Sequence, residues 1–381
     1  MAEMSVPVAD ESRPAHILHV FYSFRVGGSE TRTCQLIDAM GDAYRHTIVS
    51  LNGDFAARSL IASAHRVTFV HANGFNERPY LFNVLAARRW IRNIKPDLLI
   101  AYSWGGFEWL AGNAFCKLCP DIFSIEGFDT DEATDENQKR RVVRRLVAKR
   151  VTALHACALA LRTHALSSWH APDLRTHYIP NGVDVARFRP CVERAHGQPL
   201  IVGSLGSLST VKNHRLLIEA FARLAQSEVV MQIVGEGPER AALEEQIRTA
   251  GLGGRVTLLG HHADPAPAIR RFDVFCLSSH SEQMPIAVLE AMASGLPIVS
   301  TDVGDVKEMV GQANRRFIVP PGDPGAYSCA LAALLNDAAL RSVIGAENRK
   351  RCEDIFEFGL MVRRHRELYD RCMHLNRRYP G

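Results

Sequence analysis

The chain has 381 residues, 47% of them hydrophobic, enough for two domains of ordinary size with cores of their own. Its 45 Lys and Arg against 41 Asp and Glu leave a net charge of +4, too slight a basic balance to argue for nucleic acid as a partner. No apolar run reaches bilayer-spanning length, and residues 1–14 lack the basic start and apolar core of a signal peptide, so they read as a disordered lead-in and the location as cytoplasmic.

The first strand is expected at 16–22 (HILHVFY), followed by Phe24-Arg25-Val26-Gly27-Gly28-Ser29-Glu30 at the opening of a helix. Glycines at a strand-to-helix turn let a backbone approach a ligand, and a helix N-terminus favours phosphate. A tight turn is the plain alternative for Gly27 and Gly28. The dinucleotide fingerprint G-x-G-x-x-G is absent, which tells against a nicotinamide oxidoreductase. Strands follow at 46–51, 66–70, 97–102 and 121–125, with helical stretches between them. Cys116-Lys117-Leu118-Cys119 is a lone C-x-x-C and reads as helix cysteines rather than a metal or redox pair. Nine scattered cysteines, an odd number, fit reduced thiols.

The loop after 121–125 carries Glu126-Gly127-Phe128-Asp129-Thr130-Asp131. Its D-x-D is weak as a metal motif, because acids also suit the N-terminus of the helix that follows. That helix, QKRRVVRRLVAKR (138–150), is a solvated basic face over an apolar core stripe, or else a surface for anionic lipid headgroups. A polar seam at 187–199 comes next, after which the alternation restarts with strands at 199–205, 229–234, 255–260, 273–279 and 296–301. Continuous apolar strands separated by helices imply parallel sheets covered on both faces, hence an α/β chain with two doubly wound halves. The stretch 358–378 reads as one basic amphipathic helix.

The second half holds most of the chemistry. Lys212 stands just before the helix at 214–225, where a cation opposes the helix macrodipole unless an anion lies between. Gly235-Glu236-Gly237-Pro238 ends another strand. Then comes SEQMPIAVLEAMASG (281–295), a nearly all-apolar helix started by Pro285 and closed by Gly295. The amides of Gln283, Met284, Ile286 and Ala287 can cradle a diphosphate. Glu282 lies just outside the helix, and Glu290 in an apolar helix needs a partner. Beside an anion site, carboxylates make sense as acceptors of sugar or ribose hydroxyls.

In this order and spacing, the chain resembles the family 4 retaining glycosyltransferases of the GT-B fold, of the group 1 kind that builds bacterial polysaccharides. The motifs that carry the resemblance run from about residue 16 to about 370: the Gly27-Gly28-x-Glu30 loop, Ile179-Pro180-Asn181-Gly182-Val183-Asp184 with Phe188, Lys212, Gly235-Glu236-Gly237-Pro238, Leu259-Gly260, and Glu282 and Glu290 as E-x7-E. The resemblance implies two Rossmann-like domains facing a central cleft. These are 1–195 on the acceptor side and 196–355 for the nucleotide-sugar donor, with 356–381 a helix returning toward the first. It implies a hexosyltransferase that moves a hexose, with retention, from a nucleoside-diphosphate sugar to a hydroxyl of a glycan, lipid-linked or small-molecule acceptor. Lys212, Gly27, Gly28, Ser207, Gly235 and Gly260 then serve the diphosphate end of the donor, Glu282 the transferred sugar and Glu290 the ribose. Lys212, Glu282 and Glu126 are the expected catalytic residues.

Ser207 departs from the pattern, standing where the family usually has arginine; Arg25 or Lys307 is the candidate replacement. The departure keeps open a second reading, a nucleotide-sugar-binding or regulatory protein with impaired turnover. The stretch 101–109, with Trp104, and the loop with Glu126 and Asp129 resemble a subgroup with Y-x-W-G and E-D-G-F. Trp104, Glu126 and Asp129 become acceptor-side candidates, with helix capping the alternative for the acidic loop. No cofactor and no obligatory metal are expected. A peripheral contact with anionic membrane goes with a lipid-linked acceptor.

Overall fold

The computed structural model describes residues 13–62, 66–75, 79–114, 117–127, 138–191 and 197–378. Most of the expected lead-in, Cys116, Asp129 and Asp131 lie outside them. The chain divides into two units: Met1–Ala156 with Leu161–Tyr178 and Val362–Gly381, and Cys157–Ala160 with Ile179–Met361.

In the first unit the strands are β1 (Ala15–Phe21), β2 (Tyr44–Ser50), β3 (Val67–His71), β4 (Leu98–Tyr102), β5 (Asp121–Ile125), β6 (Ala153–Ala156) and β7 (Thr176–Tyr178). Helices α1 (Gly28–Met40), α2 (Tyr80–Ile94), α3 (Phe107–Ala114), α4 (Gln138–Ala148) and α5 (Leu159–Ser168) connect them. All seven strands pair in parallel, in the order β3-β2-β1-β4-β5-β6-β7. The parallel arrangement explains why β4 and β5 are buried at every position: helices cover both faces, so no side chain alternates toward water.

The second unit repeats the plan with β8 (Ile201–Leu205), β9 (Val230–Val234), β10 (Val256–Gly260), β11 (Val274–Leu277), β12 (Ile298–Thr301) and β13 (Ile318–Val319). Its helices are α6 (His214–Ala222), α7 (Arg240–Thr249), α8 (Ala266–Ile269), α9 (Ile286–Ala293), α10 (Val306–Met309), α11 (Pro324–Asn336) and α12 (Ala338–Ile355). The parallel order is β10-β9-β8-β11-β12-β13. Phe221, Val274, Val299, Tyr327 and Leu331 share its core. The hydroxyl of fully buried Tyr327 donates to the carbonyls of Leu277 (3.2 Å) and Val299 (2.9 Å), tying α11 to β11 and β12.

The division falls at Tyr178/Ile179, ahead of the polar 187–199 stretch expected as the seam. The residues after Ile179 belong to the second unit because it holds them. Asn181 donates to the Met284 carbonyl at 3.0 Å, and Arg349 donates to the carbonyls of Val185 and Phe188 at 2.8 and 2.7 Å. The last helix, α13 (Phe358–Arg378), has the expected extent. Its residues from Val362 group with the first unit, where Tyr44 donates to Asp370 at 2.6 Å. β6, β7 and β13, four, three and two residues long, were not expected; strands that short leave no periodicity to read. Among the described residues, no single helix is long and apolar enough to cross a membrane.

Gly203, midway along β8, lies under the ring of Phe272; a Cβ there would stand 1.9 Å from a ring carbon. Gly203→Ala is expected to destabilise the protein by about 1–3 kcal/mol, the usual result of overpacking, and to lower Tm in calorimetry. Gly253→Ala, which meets nothing within 4 Å, should leave Tm unchanged or slightly higher.

Candidate functional site

In a doubly wound sheet, ligands bind at the carboxyl ends of the strands where the strand order reverses. In the second unit that point lies between β8 and β11, and of the expected donor residues Lys212 and Glu282 meet there, while Gly27 and Gly28 lie in the first unit and Gly260 ends the edge strand β10. Lys212 ends a short 3-10 turn, Thr210–Lys212, after β8. Its Nζ donates to Glu282 Oε1 at 2.5 Å, and the Ser279 hydroxyl donates to the same oxygen at 2.7 Å. Two further bonds join the β8 and β11 loops: Ser278 Oγ to the Lys212 carbonyl (3.0 Å) and His280 N to the Val211 carbonyl (2.8 Å). The cation expected to oppose its helix is therefore already matched by a carboxylate. Ser279 had no signal in the sequence beyond its place three residues before Glu282.

The glycines serve close approach of backbone. At Gly235 (φ +156°) a Cβ would stand 1.8 Å from the Gly206 carbonyl oxygen, so only glycine lets the ends of β8 and β9 meet. Gly235 N also donates to the Gly260 carbonyl at 2.8 Å. Ser207 is exposed, its hydroxyl 3.3 Å from that of Ser209. Of the two proposed replacements for the missing arginine, Lys307 pairs with Asp302 at 3.5 Å and Arg25 belongs to the first unit.

Pro285 proves to be the residue before α9 rather than its first turn: its ψ of 120° is extended, and the helix begins at Ile286. The amides of Ile286 and Ala287 have no acceptor within the helix. The 282–283 backbone is held from behind. Asp305 N donates to the Gln283 carbonyl at 2.8 Å, and a Cβ on Gly304 (φ +52°) would strike the Gln283 and Glu282 oxygens at 2.4 and 2.5 Å. Met284 is buried, and its carbonyl is the one that Asn181 caps.

Glu290 lies half-buried on α9 among Val288, Leu289, Ala291 and Met292, all fully buried. Among the described residues, none donates a hydrogen bond to its carboxylate. Burial raises its pKa from 4.5 to about 7; the charge of Arg187 opposes that shift and that of Asp264 adds to it, while those two pair with each other at 2.8 Å.

In the first unit the strand order reverses between β1 and β4. A pocket of about 470 Å³ opens there, lined by Tyr22, Arg25, Glu30, Asp54, Tyr102 and Ser103 among others. Gly27 precedes α1 and Gly28 starts it. A Cβ on Gly27 would stand 2.6 Å from a Glu30 carboxylate oxygen, so the glycine lets Glu30 fold back over the turn. Burial raises the Glu30 pKa, and Glu126 adds to the shift. Glu126 itself is engaged: it accepts from Arg32 and, at 2.6 Å, from the Ser124 hydroxyl, which also meets His155 Nδ1 at 2.7 Å. Sequence reasoning missed Arg32, a buried arginine inside α1 that looks like any helix cation until β5 brings Glu126 to it. Trp104 lies in the turn Trp104–Gly106 after β4, and Asp129 is outside the described residues. Among the described residues, no three His, Cys, Asp or Glu side chains group as a metal site. Cys119 is buried and its thiol pKa is raised by that burial.

Two family models match the chain: glycosyltransferase family 4 over residues 26–187 and glycosyl transferases group 1 over 191–351. A Bacillus subtilis (strain 168) protein named as a glycosyltransferase, EpsF, is 28% identical over 327 residues, covering 76% of this chain and 80% of its own. The lipopolysaccharide core biosynthesis glycosyltransferase LpsE of Rhizobium meliloti is 32% identical over 142 residues, 37% of this chain and 41% of its own. Among solved structures, a glycosyltransferase from Rickettsia africae has a TM-score of 0.79 at 16% identity, over 94% of this chain and 99% of its own. Anabaena HepE in complex with UDP has a TM-score of 0.76 at 21% identity, over 92% and 98%. Two doubly wound sheets, each matched by its own family model, thus carry one identity: the chain belongs to the family 4, group 1 glycosyltransferases and is a transferase enzyme of the GT-B fold.

Proposed function

We propose that the enzyme transfers a hexose from a nucleoside-diphosphate sugar, with retention of anomeric configuration, to a hydroxyl of a glycan, lipid-linked or small-molecule acceptor. The observation that carries this is the Lys212–Glu282 pair at the strand reversal, with donor-less Glu290 one turn inside the helix that begins beside it. Glu290 takes the ribose hydroxyls. The amides of Ile286 and Ala287 face the diphosphate, and Lys212 leaves Glu282 for the phosphate charge. Glu282, still held by Ser279, accepts hydroxyls of the transferred sugar. As the bond from the sugar to phosphate breaks, negative charge grows on the diphosphate, and Lys212 gains most at that moment. Retention puts the new bond on the face the phosphate leaves, so a departing phosphate oxygen is within reach of the acceptor's proton. Glu126, bound by Arg32 and Ser124, then orients the acceptor side of the first-unit pocket rather than collecting that proton. Uridine nucleotides are the first donors to test, since HepE is described with UDP and with UDP-glucose.

Steady-state kinetics separate the roles. Glu290→Gln should raise the donor KM by about 10- to 150-fold with little change in kcat, consistent with a charged hydrogen bond of about 1.5–3 kcal/mol made equally in ground and transition states. Glu282→Gln should lower kcat by more than it changes KM, and Lys212→Ala should damage both. Near-wild-type kinetics for both glutamate variants, with folding intact by circular dichroism, would refute the assignment.

Turnover should persist in excess EDTA, because Lys212 and the first-turn amides of α9 supply positive charge to the diphosphate. An absolute requirement for added Mg²⁺ or Mn²⁺ would overturn this and direct attention to Asp129 and Asp131.

Glu290 also predicts opposite pH trends for binding and for stability. Donor affinity should strengthen from pH 6 to 8 as the carboxyl, raised to about 7, loses its proton and becomes a full acceptor. Without donor, the folded state holds that proton above pH 4.5 while the unfolded chain has released it. The contribution of Glu290 to stability is therefore greatest below pH 4.5 and declines as pH rises to about 7. Thermal unfolding of Glu290→Gln without ligand should show this decline removed, and donor titration should show the pH dependence of affinity flattened.

A further inference from the structure

The backbone that presents Glu282 has no helix or strand of its own: residues 278–285 are a loop between the end of β11 and the start of α9. A carboxylate on such a loop keeps its place only if the loop's backbone groups are bonded from outside it. The chain after β12 supplies those bonds. Thr301 Oγ1 donates to the Ser279 carbonyl at 2.7 Å, and Asp305 N donates to the Gln283 carbonyl at 2.8 Å. Behind them, the Asp305 carbonyl accepts from the amides of Glu308 and Met309 at 2.9 and 2.8 Å. Arg351 of α12 closes the far end of α10, donating to the carbonyls of Met309 and Glu308 at 2.7 Å each.

The bond from Asp305 to Gln283 needs only a backbone amide, yet the residue carries a carboxylate that is 3% exposed and so must find donors. It accepts from the amides of Leu159 and, at 3.0 Å, Ala160, the first two residues of α5. First-turn amides have no acceptor inside their own helix, so the arrangement satisfies both sides. Leu159 and Ala160 belong to the second unit, in the short stretch Cys157–Ala160, while the chain before and after it groups with the first. Asp305 thus holds the loop of Glu282 by its amide and the start of α5 by its carboxylate.

We propose that Asp305 is a positioning residue for Glu282: its carboxylate, seated on the amides of Leu159 and Ala160, fixes the 304–305 turn, and that turn sets the 282–283 backbone from which Glu282 reaches the transferred sugar. The inference rests on the role given to Glu282 above and adds a residue that touches neither donor nor acceptor. A small shift of this turn moves the Glu282 carboxylate relative to a sugar whose charge develops only in the transition state, so the loss falls on kcat more than on donor KM.

The test is steady-state kinetics of the full chain with whichever of UDP-glucose, GDP-mannose and ADP-glucose it turns over, folding being checked by circular dichroism and Tm. Asp305→Asn keeps the bond to Gln283 and one acceptor oxygen but turns an NH₂ group toward the other amide. Its kcat should fall about fivefold or more while donor KM moves less than about threefold. Leu159→Pro removes one donor from the opposite side, at a first helical position where proline suits the backbone, and should lower kcat about threefold or more from outside the donor site. In a Glu282→Gln background neither change should lower kcat by more than about twofold further, because the group they position has already lost its charge. A purely structural role reduces the active fraction instead, and its losses then multiply in full in that background. Such multiplied losses overturn the inference. So do wild-type kcat values for Asp305→Asn and Leu159→Pro beside an impaired Glu282→Gln, a pattern that leaves the role of Glu282 standing. A wild-type kcat for Glu282→Gln removes that role and this inference with it.

Discussion

A carboxylate on α9 is desolvated and, among the described residues, given no donor, and the second unit has to tolerate it. Leaving Glu290 in that position costs stability at neutral pH, and the fold offsets the cost through apolar packing of the rest of the helix. Lys212 and Glu282 show the complementary solution: two charges that share one short bond and a supporting serine, so neither stands alone. Side by side, these arrangements place one satisfied and one unsatisfied carboxylate along the same helix entrance. Strain of this kind collects at functional sites because a ligand can relieve it.

Much of what surrounds them follows from the requirement that loops at the strand ends come very close. Gly235 over the Gly206 carbonyl and Gly304 against the 282–283 carbonyls are points where any larger residue would push the loops apart. Asn181 serves the same purpose by capping the Met284 carbonyl, which is why a motif far upstream in the chain belongs to this site. The site is held in place by backbone contacts together with side-chain bonds from Asn181, Lys212, Ser278 and Ser279.

The sequence made this organisation readable to different depths. Parallel strands were legible because their burial on both faces produces unbroken apolar runs, and the odd glutamate in SEQMPIAVLEAMASG was legible because charge inside an apolar helix is conspicuous. Three short strands were not legible, having too few residues to show a period. The Lys212–Glu282 pairing was also hidden, since 70 residues separate partners that only the strand order brings together. Arg32 with Glu126 and the inward turn of Arg144 were missed for the same reason: an arginine in a helix looks solvated until the neighbouring element is known. Val142 and Leu146 erred the other way, apolar by sequence and outward in the fold.

The bond between Lys212 and Glu282 makes the empty site electrically quiet. A stray phosphate offers Lys212 an anion but leaves Glu282 with the Ser279 hydroxyl alone, and a free sugar leaves Lys212 without an anion, so each must break the pair at a loss. Only a molecule carrying both groups replaces both halves of the bond at once. Under the proposed roles the site therefore acts as a two-key lock that the donor opens. Once the hexose has moved on, the nucleoside diphosphate holds a single key, and Glu282 can reclaim the lysine as the spent nucleotide leaves.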